Sequence, residues 1–203
     1  DVVAESNDDL IEKYLEEGEL SAEDFSRGLH SGIKSGKIVP IVAGSVSENI
    51  GINELMDLIA DAFLTPLERA IVATQGEESV QITPDPNGPF LGQVFRSVVD
   101  PFVGHLTFFR VLSGTLHSDS DFINVTTGAK ERTGKIVLMN GKEQSNVDAV
   151  VPGDLAAMTK LKNTHFGDTI ASAGQDLLLP RIELPDSMVK LAIVPKSRAD
   201  EDK

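Results

Sequence analysis

The first third of the chain alternates hydrophobic and polar positions at helical spacing. Apolar residues recur three and four positions apart in three stretches, which predicts amphipathic helices beginning near Leu10, after Ser21 and at Ile52. Residues 38–42 are apolar throughout and mostly β-branched, a pattern typical of a parallel strand buried on both faces. This order of helices, strand, loop and helix indicates the edge of an α/β sheet domain over residues 1–68.

A second pattern, of short β-rich runs, occupies most of the remaining chain. Residues 69–87 are rich in Gly, Pro, Asn and Asp, which predicts a linker between domains. In residues 88–180 the runs alternate with turn signals such as Asn140-Gly141, the pair favoured in a type I′ hairpin turn. Regularly spaced short strands predict a closed or sandwiched β domain. A further β-rich run, without a partner in the sequence, predicts that residues 181–203 open another domain.

The charge of the chain is unevenly distributed. A net charge of −14 argues against a nucleic-acid partner for the chain as a whole. Residues 1–68, however, hold 15 acidic and 4 basic groups, a balance of −11, whereas residues 88–180 hold 9 and 8, a balance of −1. Phosphate binding depends on charges near the contact, within a screening length of about 10 Å. The β domain therefore retains the capacity for a local basic surface.

Several classes of function lack their sequence signals. The chain has no apolar run of the roughly 20 residues that cross a bilayer and begins with an acidic segment, so we expect a cytoplasmic protein without a membrane partner. It contains no Cys, no phosphate loop of the form Gly-x4-Gly-Lys-Ser/Thr, and four scattered His. We therefore expect no metal site and no catalytic residue in this chain.

One short loop is a candidate ligand site. The sequence Gly44-Ser45-Val46 follows the predicted strand 38–42, at the end where open α/β sheets bind their ligands. A small residue there lets backbone N–H groups approach a base. An ordinary turn between strand and helix explains the same residues and stays open as an alternative.

Motifs spread over nearly the whole chain resemble elongation factor G. They comprise residues 12–15, 19–20, 40–45, 100–111, 113–114, 130–135, 153–157, 164–169, 191–196 and 199–200. The resemblance implies an α+β chain made of several parts. The first is the C-terminal edge of an α/β G domain, followed by the antiparallel translation-factor β-barrel of domain II and the start of domain III.

The resemblance also implies a function for a longer parent protein, of which this chain is a fragment. That parent is a ribosome-associated GTPase that uses GTP and Mg²⁺ in translocation, and its phosphate loop, switches and Asn-Lys-x-Asp motif are expected before Asp1. This fragment is expected to hold no cofactor. By resemblance Ser45 and Val46 line the guanine pocket beside Gly44, although the family usually has Ala at position 46.

The barrel of the family packs on the G domain and touches small-subunit ribosomal RNA, with no DNA partner. The candidates for RNA phosphate contacts are Lys130, Arg132, Lys135 and Lys142, with solvated strand ends as the alternative explanation. Asn140-Gly141-Lys142 departs from the His-Ala-Asn usual in the family, which leaves a recycling or ribosomal-protection paralogue open. A free-standing barrel that acts as a binding module is the remaining alternative.

Overall fold

The computed structural model describes residues 1–100, 104–189, 191–192 and 194. The chain divides into two compact units, Asp1–Arg69 and Ala70–Lys203, and each is described by itself below. The β-rich run at 188–194, predicted to open a further domain, falls partly outside the described residues, as do residues 101–103 of the motif at 100–111.

The first unit is helical. Its helices are α1 (Asp8–Glu17), α2 (Ala22–Lys34) and α3 (Ile52–Ala62), with short 3-10 turns at Ala4–Ser6 and Pro66–Glu68. Local signals account for these bounds. Gly18 ends α1 in a left-handed conformation, with a φ of 81°, and the Ser21 hydroxyl accepts the N–H of Asp24 at 3.1 Å to cap α2.

The predicted strand at residues 38–42 is the main difference from the sequence interpretation. These residues are in no strand, and Val39 and Ile41 are 79% and 94% exposed. A buried parallel strand needs at least one neighbouring strand for its backbone hydrogen bonds and cover on both faces. Described residues 1–69 supply no such neighbour, and their one β-type pairing is the local bridge between Ser45 and Ile50.

A polar cap links α2 to the end of the first unit. The Glu68 carboxylate accepts the Thr65 N–H at 3.0 Å and its hydroxyl at 2.9 Å, and lies 2.7 Å from Nε2 of His30. These hydrogen bonds, that of the Thr65 backbone foremost, lower the pKa of Glu68 from its ordinary 4.5 to about 2. The cap therefore stabilises the unit fully above pH 4.5, and this contribution is lost as the pH falls towards 2.

The second unit is an antiparallel β structure, which confirms the predicted fold class. Its described strands are β1 (Ile71–Gln75), β2 (Glu78–Ile82), β3 (Leu91–Asp100), β4 (Gly104–Ser113), β5 (Leu116–His117), β6 (Asp121–Asn124), β7 (Ala129–Arg132), β8 (Ile136–Asn140), β9 (Glu143–Val147), β10 (Ala149–Val150), β11 (Leu155–Thr159) and β12 (Thr169–Ala171). Eight of them form one sheet in the order β7-β6-β12-β3-β4-β11-β8-β9, while β1 pairs with β2 and β5 with β10.

Because side chains alternate along these strands, apolar residues are buried on both faces of the sheet, and on the outer face only in part. The inner face holds the largest hydrophobic cluster, which includes Phe109, Phe122 and Met158, all at most 1% exposed. On the opposite face, Leu91 and Ala171 are covered by the hairpin of β1 and β2. The sheet therefore carries both a barrel core and a second, outer apolar layer.

Residues 69–87, predicted as a linker, contain this β1–β2 hairpin. Apolar side chains at alternate positions of both strands face the outer layer, and Gly76 forms the turn with a φ of 61°. Thr74 also exchanges two backbone hydrogen bonds with Leu178, at 2.7 and 2.8 Å. Gly76 therefore marks a hairpin turn, and the Pro, Asp and Asn residues mark the loop after β2. The polar positions between them form the exposed face of the hairpin.

Two glycines in the left-handed region provide a stability test. Gly114 has a φ of 67°, and a Cβ there would lie 2.3 Å from the Phe90 nitrogen; Gly128 has a φ of 75° with open space around it. We expect Gly114→Ala to reduce the free energy of unfolding by roughly 3 kcal/mol or more, because it adds a backbone clash to conformational strain. Gly128→Ala should cost about 1–2 kcal/mol, from strain alone.

Urea unfolding monitored by circular dichroism measures both changes. Equal losses in the two variants would contradict the close backbone approach at Gly114.

Candidate functional site

Two of the four predicted phosphate-binding residues lie together on β7. Lys130 and Arg132 are exposed and occupy alternate positions, so they project from the same face of the strand. Strand β7 is the last in the sheet order and pairs with β6 alone among the described strands. Arg132 is directly opposite Asp121, which is also exposed, and this carboxylate reduces the positive potential beside the guanidinium.

Lys135 follows the same strand after a tightly held loop. The Thr133 hydroxyl, wholly buried, lies 3.0 and 3.1 Å from the carbonyl oxygens of His117 and Ser120, and accepts the Ser120 N–H at 2.9 Å. Lys135 itself is exposed and precedes β8 by one residue. Its backbone position is therefore well defined, while its side chain faces solvent.

Lys142 lies at the other end of the sheet order. It occupies the two-residue turn between β8 and β9, where Asn140 pairs with Glu143. The prediction that Asn140-Gly141 forms the centre of a type I′ turn is wrong, because the central pair is Gly141-Lys142 and only Gly141, at 61°, has a positive φ there. In the strand order, Lys130 and Arg132 lie together on β7 at one end of the sheet, and Lys142 lies between β8 and β9 at the other end.

A buried polar network supports the end of β7. Asn124, wholly buried at the end of β6, donates from Nδ2 to the Asn163 carbonyl at 2.9 Å and to Oδ2 of Asp168 at 2.8 Å. Its Oδ1 accepts the Thr127 N–H at 3.1 Å, in the turn that leads into β7. One side chain thus joins the β6–β7 turn to the loop between β11 and β12.

Glu131 makes a second connection to the same loop. This residue lies between Lys130 and Arg132, and its Oε1 accepts the backbone N–H groups of Lys162 at 2.7 Å and Asn163 at 3.1 Å. Its Oε2 accepts the Thr164 hydroxyl. Sequence reasoning missed this contact, because the partners are more than 30 positions apart and no local spacing indicates it. It also missed the exposed residues Lys160 and Lys162 on the loop.

The candidate nucleotide loop forms a tight turn. Ser45 and Ile50 exchange two backbone hydrogen bonds, each of 3.0 Å, so the N–H of Ser45 is already used within the turn. Val46 is 86% exposed, and its N–H has no acceptor within the described residues. A Cβ at Gly44 would lie 2.6 Å from the Ile50 carbonyl oxygen, so the turn requires glycine whether or not a ligand binds.

Neither a metal site nor a membrane-spanning helix is found among the residues that the structure describes. They contain no group of three or more His, Cys, Asp or Glu side chains placed to hold a metal ion. None of their helices combines the length and the apolar character that crossing a bilayer requires.

Comparison with known proteins defines the class of protein to which the second unit belongs. Residues 89–173 match the model of elongation factor G domain 2, which makes the second unit a translation-factor β-barrel. Over 203 residues the chain is 36% identical to elongation factor G of Neorickettsia sennetsu, covering 99% of this chain and 29% of that protein. It is 38% identical over 204 residues to elongation factor G of Thermotoga maritima, covering 99% and 30%.

A solved structure from Thermus thermophilus is similar over 98% of this chain and 28% of its own, with a TM-score of 0.74 and 27% identity. The chain is similar over nearly its whole length to members of the elongation factor G family and spans less than a third of the length of the relatives it matches. The family predicted from the sequence motifs is thereby confirmed. The domain boundaries and the assignments of Gly44, Ser45, Val46 and the four basic residues stay predictions.

Proposed function

We propose that this chain acts within a ribosome-associated GTPase that promotes translocation in protein synthesis. What supports the proposal is the extent of the similarity: it covers 99% of the chain, so it includes the helical unit as well as the barrel. A free-standing barrel module would account for similarity in residues 89–173 alone. The same reasoning favours a cytoplasmic location, with neither a membrane nor DNA as partner.

The nucleotide of this GTPase would meet the chain at the turn that contains Gly44, Ser45 and Val46. In this proposal the exposed N–H of Val46 approaches the guanine base, since the N–H of Ser45 is bonded to Ile50. A backbone contact tolerates Val where the family usually has Ala. GTP phosphates and Mg²⁺ would be held by other parts of the longer protein, because this sequence contains no phosphate loop.

The barrel would contact small-subunit ribosomal RNA through its basic edge. Lys130 and Arg132 share one exposed face of β7, and Lys135 follows on a backbone fixed by buried Thr133. Lysine and arginine side chains contact phosphates without reading sequence, so such a surface sets position more than specificity. Lys142, on the opposite edge pair, would make a separate contact. A recycling or ribosomal-protection protein would use the same surface. A translocation assay with the longer protein distinguishes these alternatives from a translocation factor.

The isolated 203-residue chain should not bind GTP measurably. It presents one side of a guanine pocket and no loop of N–H groups for the phosphates, which supply most of the recognition of a nucleotide triphosphate. Isothermal calorimetry with GTP and Mg²⁺ should therefore give no binding heat. Micromolar affinity would contradict this division of the site and would show that this chain carries a complete nucleotide pocket.

Reversing two charges at the edge of the barrel tests RNA binding. The double variant Arg132→Glu, Lys135→Glu should bind small ribosomal subunits more weakly, because it replaces two attractive contacts by repulsion. The slope of log affinity against log salt should fall by about 0.9 for each phosphate that the variant no longer neutralises. Filter binding between about 50 and 200 mM salt measures both quantities.

The control is Lys37→Glu, Arg69→Glu, which makes the same charge change at exposed residues of the first unit. If the two double variants lose affinity equally, net charge explains binding and the assigned surface is wrong. Unchanged affinity in both variants also refutes it.

A further inference from the structure

We propose that Glu131 is a positioning residue that holds the loop of residues 160–164 beside β7. The loop then places Lys160 and Lys162 on one side of this edge strand, while Lys130 and Arg132 project from its other side, so that basic residues line both sides of β7. We call these four basic residues the edge cluster. The inference rests on the proposed RNA-binding function and extends it to a loop that the sequence did not single out.

The contacts of Glu131 define its role. Its carboxylate accepts three hydrogen bonds from consecutive residues of the loop: the N–H groups of Lys162 and Asn163, at 2.7 and 3.1 Å, and the hydroxyl of Thr164. A carboxylate supplies two oxygens that only accept, so it can satisfy three converging donors. These donors also offset part of its negative charge. Glu131 occupies the position between Lys130 and Arg132, so its side chain leaves β7 on the side opposite to theirs.

A second anchor fixes the far side of the loop. The Asn163 carbonyl accepts a hydrogen bond from buried Asn124, and Asp168 accepts from Asn124 at 2.8 Å and from the His165 N–H at 2.7 Å. The side chains of Asn124 and Asp168 thus hold the backbone after Lys162, and a backbone hydrogen bond from Lys160 to His105 holds the backbone before it. A loop held at both ends presents its exposed lysines at a defined distance from β7, which lowers the entropic cost of binding.

The conformation of the loop turns its lysines outward. Lys160 adopts a φ of 63°, in the left-handed region, immediately after β11, and donates its N–H to the His105 carbonyl at 3.4 Å. Both Lys160 and Lys162 are exposed. The amide nitrogen of Lys162 is 2.7 Å from the Glu131 carboxylate, so Lys162 borders β7, and Lys160 lies two residues before it.

The chemistry of this surface favours RNA over an acidic protein. The edge cluster borders one strand, and the two residues that follow the loop, His165 and Phe166, are exposed, Phe166 with 37% of its surface accessible. Exposed aromatic rings next to phosphate-binding cations suit unstacked bases of folded RNA, which stack on such rings. An acidic protein surface would require no aromatic platform.

The decisive variant is Glu131→Gln, because two explanations predict opposite results. If Glu131 contributes only charge, removing a negative group beside RNA should tighten binding to small ribosomal subunits. If Glu131 positions the loop, its replacement should weaken binding and lower the salt slope by roughly 1–2, as the two loop lysines move away from the phosphates. Glu77→Gln, at the exposed β1–β2 turn, is the matched control for the charge change.

Thr164→Val provides an independent test without any change of charge. It removes one donor to Glu131 while keeping the side-chain volume, so we expect a lower salt slope again, at unchanged net charge. Amide hydrogen exchange of Lys162 and Asn163 should accelerate in both loop variants and stay unchanged in Glu77→Gln. The inference would be overturned if Glu131→Gln bound small ribosomal subunits as tightly as the unaltered protein or more tightly. It would also be overturned if amide exchange accelerated in Glu131→Gln and Thr164→Val while their binding stayed the same.

Single alanine variants separate this inference from the proposed function. Lys160→Ala and Lys162→Ala should each lower the slope by about 0.9, as should Lys130→Ala and Arg132→Ala. If the β7 variants act and the loop variants do not, the inference fails and RNA binding stands. If none of the four changes the slope, RNA binding at this edge fails too. The same variants should be compared on protein-free small-subunit RNA. If they weaken binding to whole subunits but not to this RNA, the surface binds a protein partner and the inference is overturned.

Discussion

The hydrogen bonds of buried Asn124 are the constraint on which the edge of the barrel depends. An amide that is 0% exposed must find partners inside the protein, and one left without them costs about 1–3 kcal/mol. Asn124 finds them in two segments that are distant in sequence: the Thr127 N–H before β7, and Asn163 and Asp168 in the loop after β11. No buried side-chain polar atom among the described residues lacks a partner. The position of β7 and its basic residues follows from this requirement.

Apolar burial determines the rest of the fold, and it is distributed differently in the two units. The barrel buries the inner face of its sheet in the main core, and the β1–β2 hairpin covers part of the opposite face. In the first unit the apolar segment 38–42 is left exposed. Its composition suits the interior of a parallel sheet, which the described residues 1–69 do not contain. That contrast agrees with a chain that spans less than a third of its relatives.

The sequence was most informative where structure depends on neighbouring residues. Gly18 and Ser21 mark helix ends through their own backbone geometry and hydroxyl, so the helices could be predicted. Antiparallel β structure could be predicted from short runs and turns. The β1–β2 hairpin could not, because its apolar positions have meaning only against Leu91 and Ala171. The contact of Glu131 with the loop likewise depends on pairing across the chain, which a single sequence does not display.

We propose that the β7 edge of the barrel lies against small-subunit ribosomal RNA, and directed hydroxyl-radical probing tests this contact most directly. The chain contains no Cys, so Thr127→Cys creates a unique attachment point for an iron chelate in the exposed turn before β7. The same label at Glu77→Cys, in the exposed β1–β2 turn, serves as the comparison. We predict localised cleavage of the small-subunit RNA from position 127, abolished in the Arg132→Glu, Lys135→Glu background. Cleavage from position 77 with none from position 127 would contradict the account.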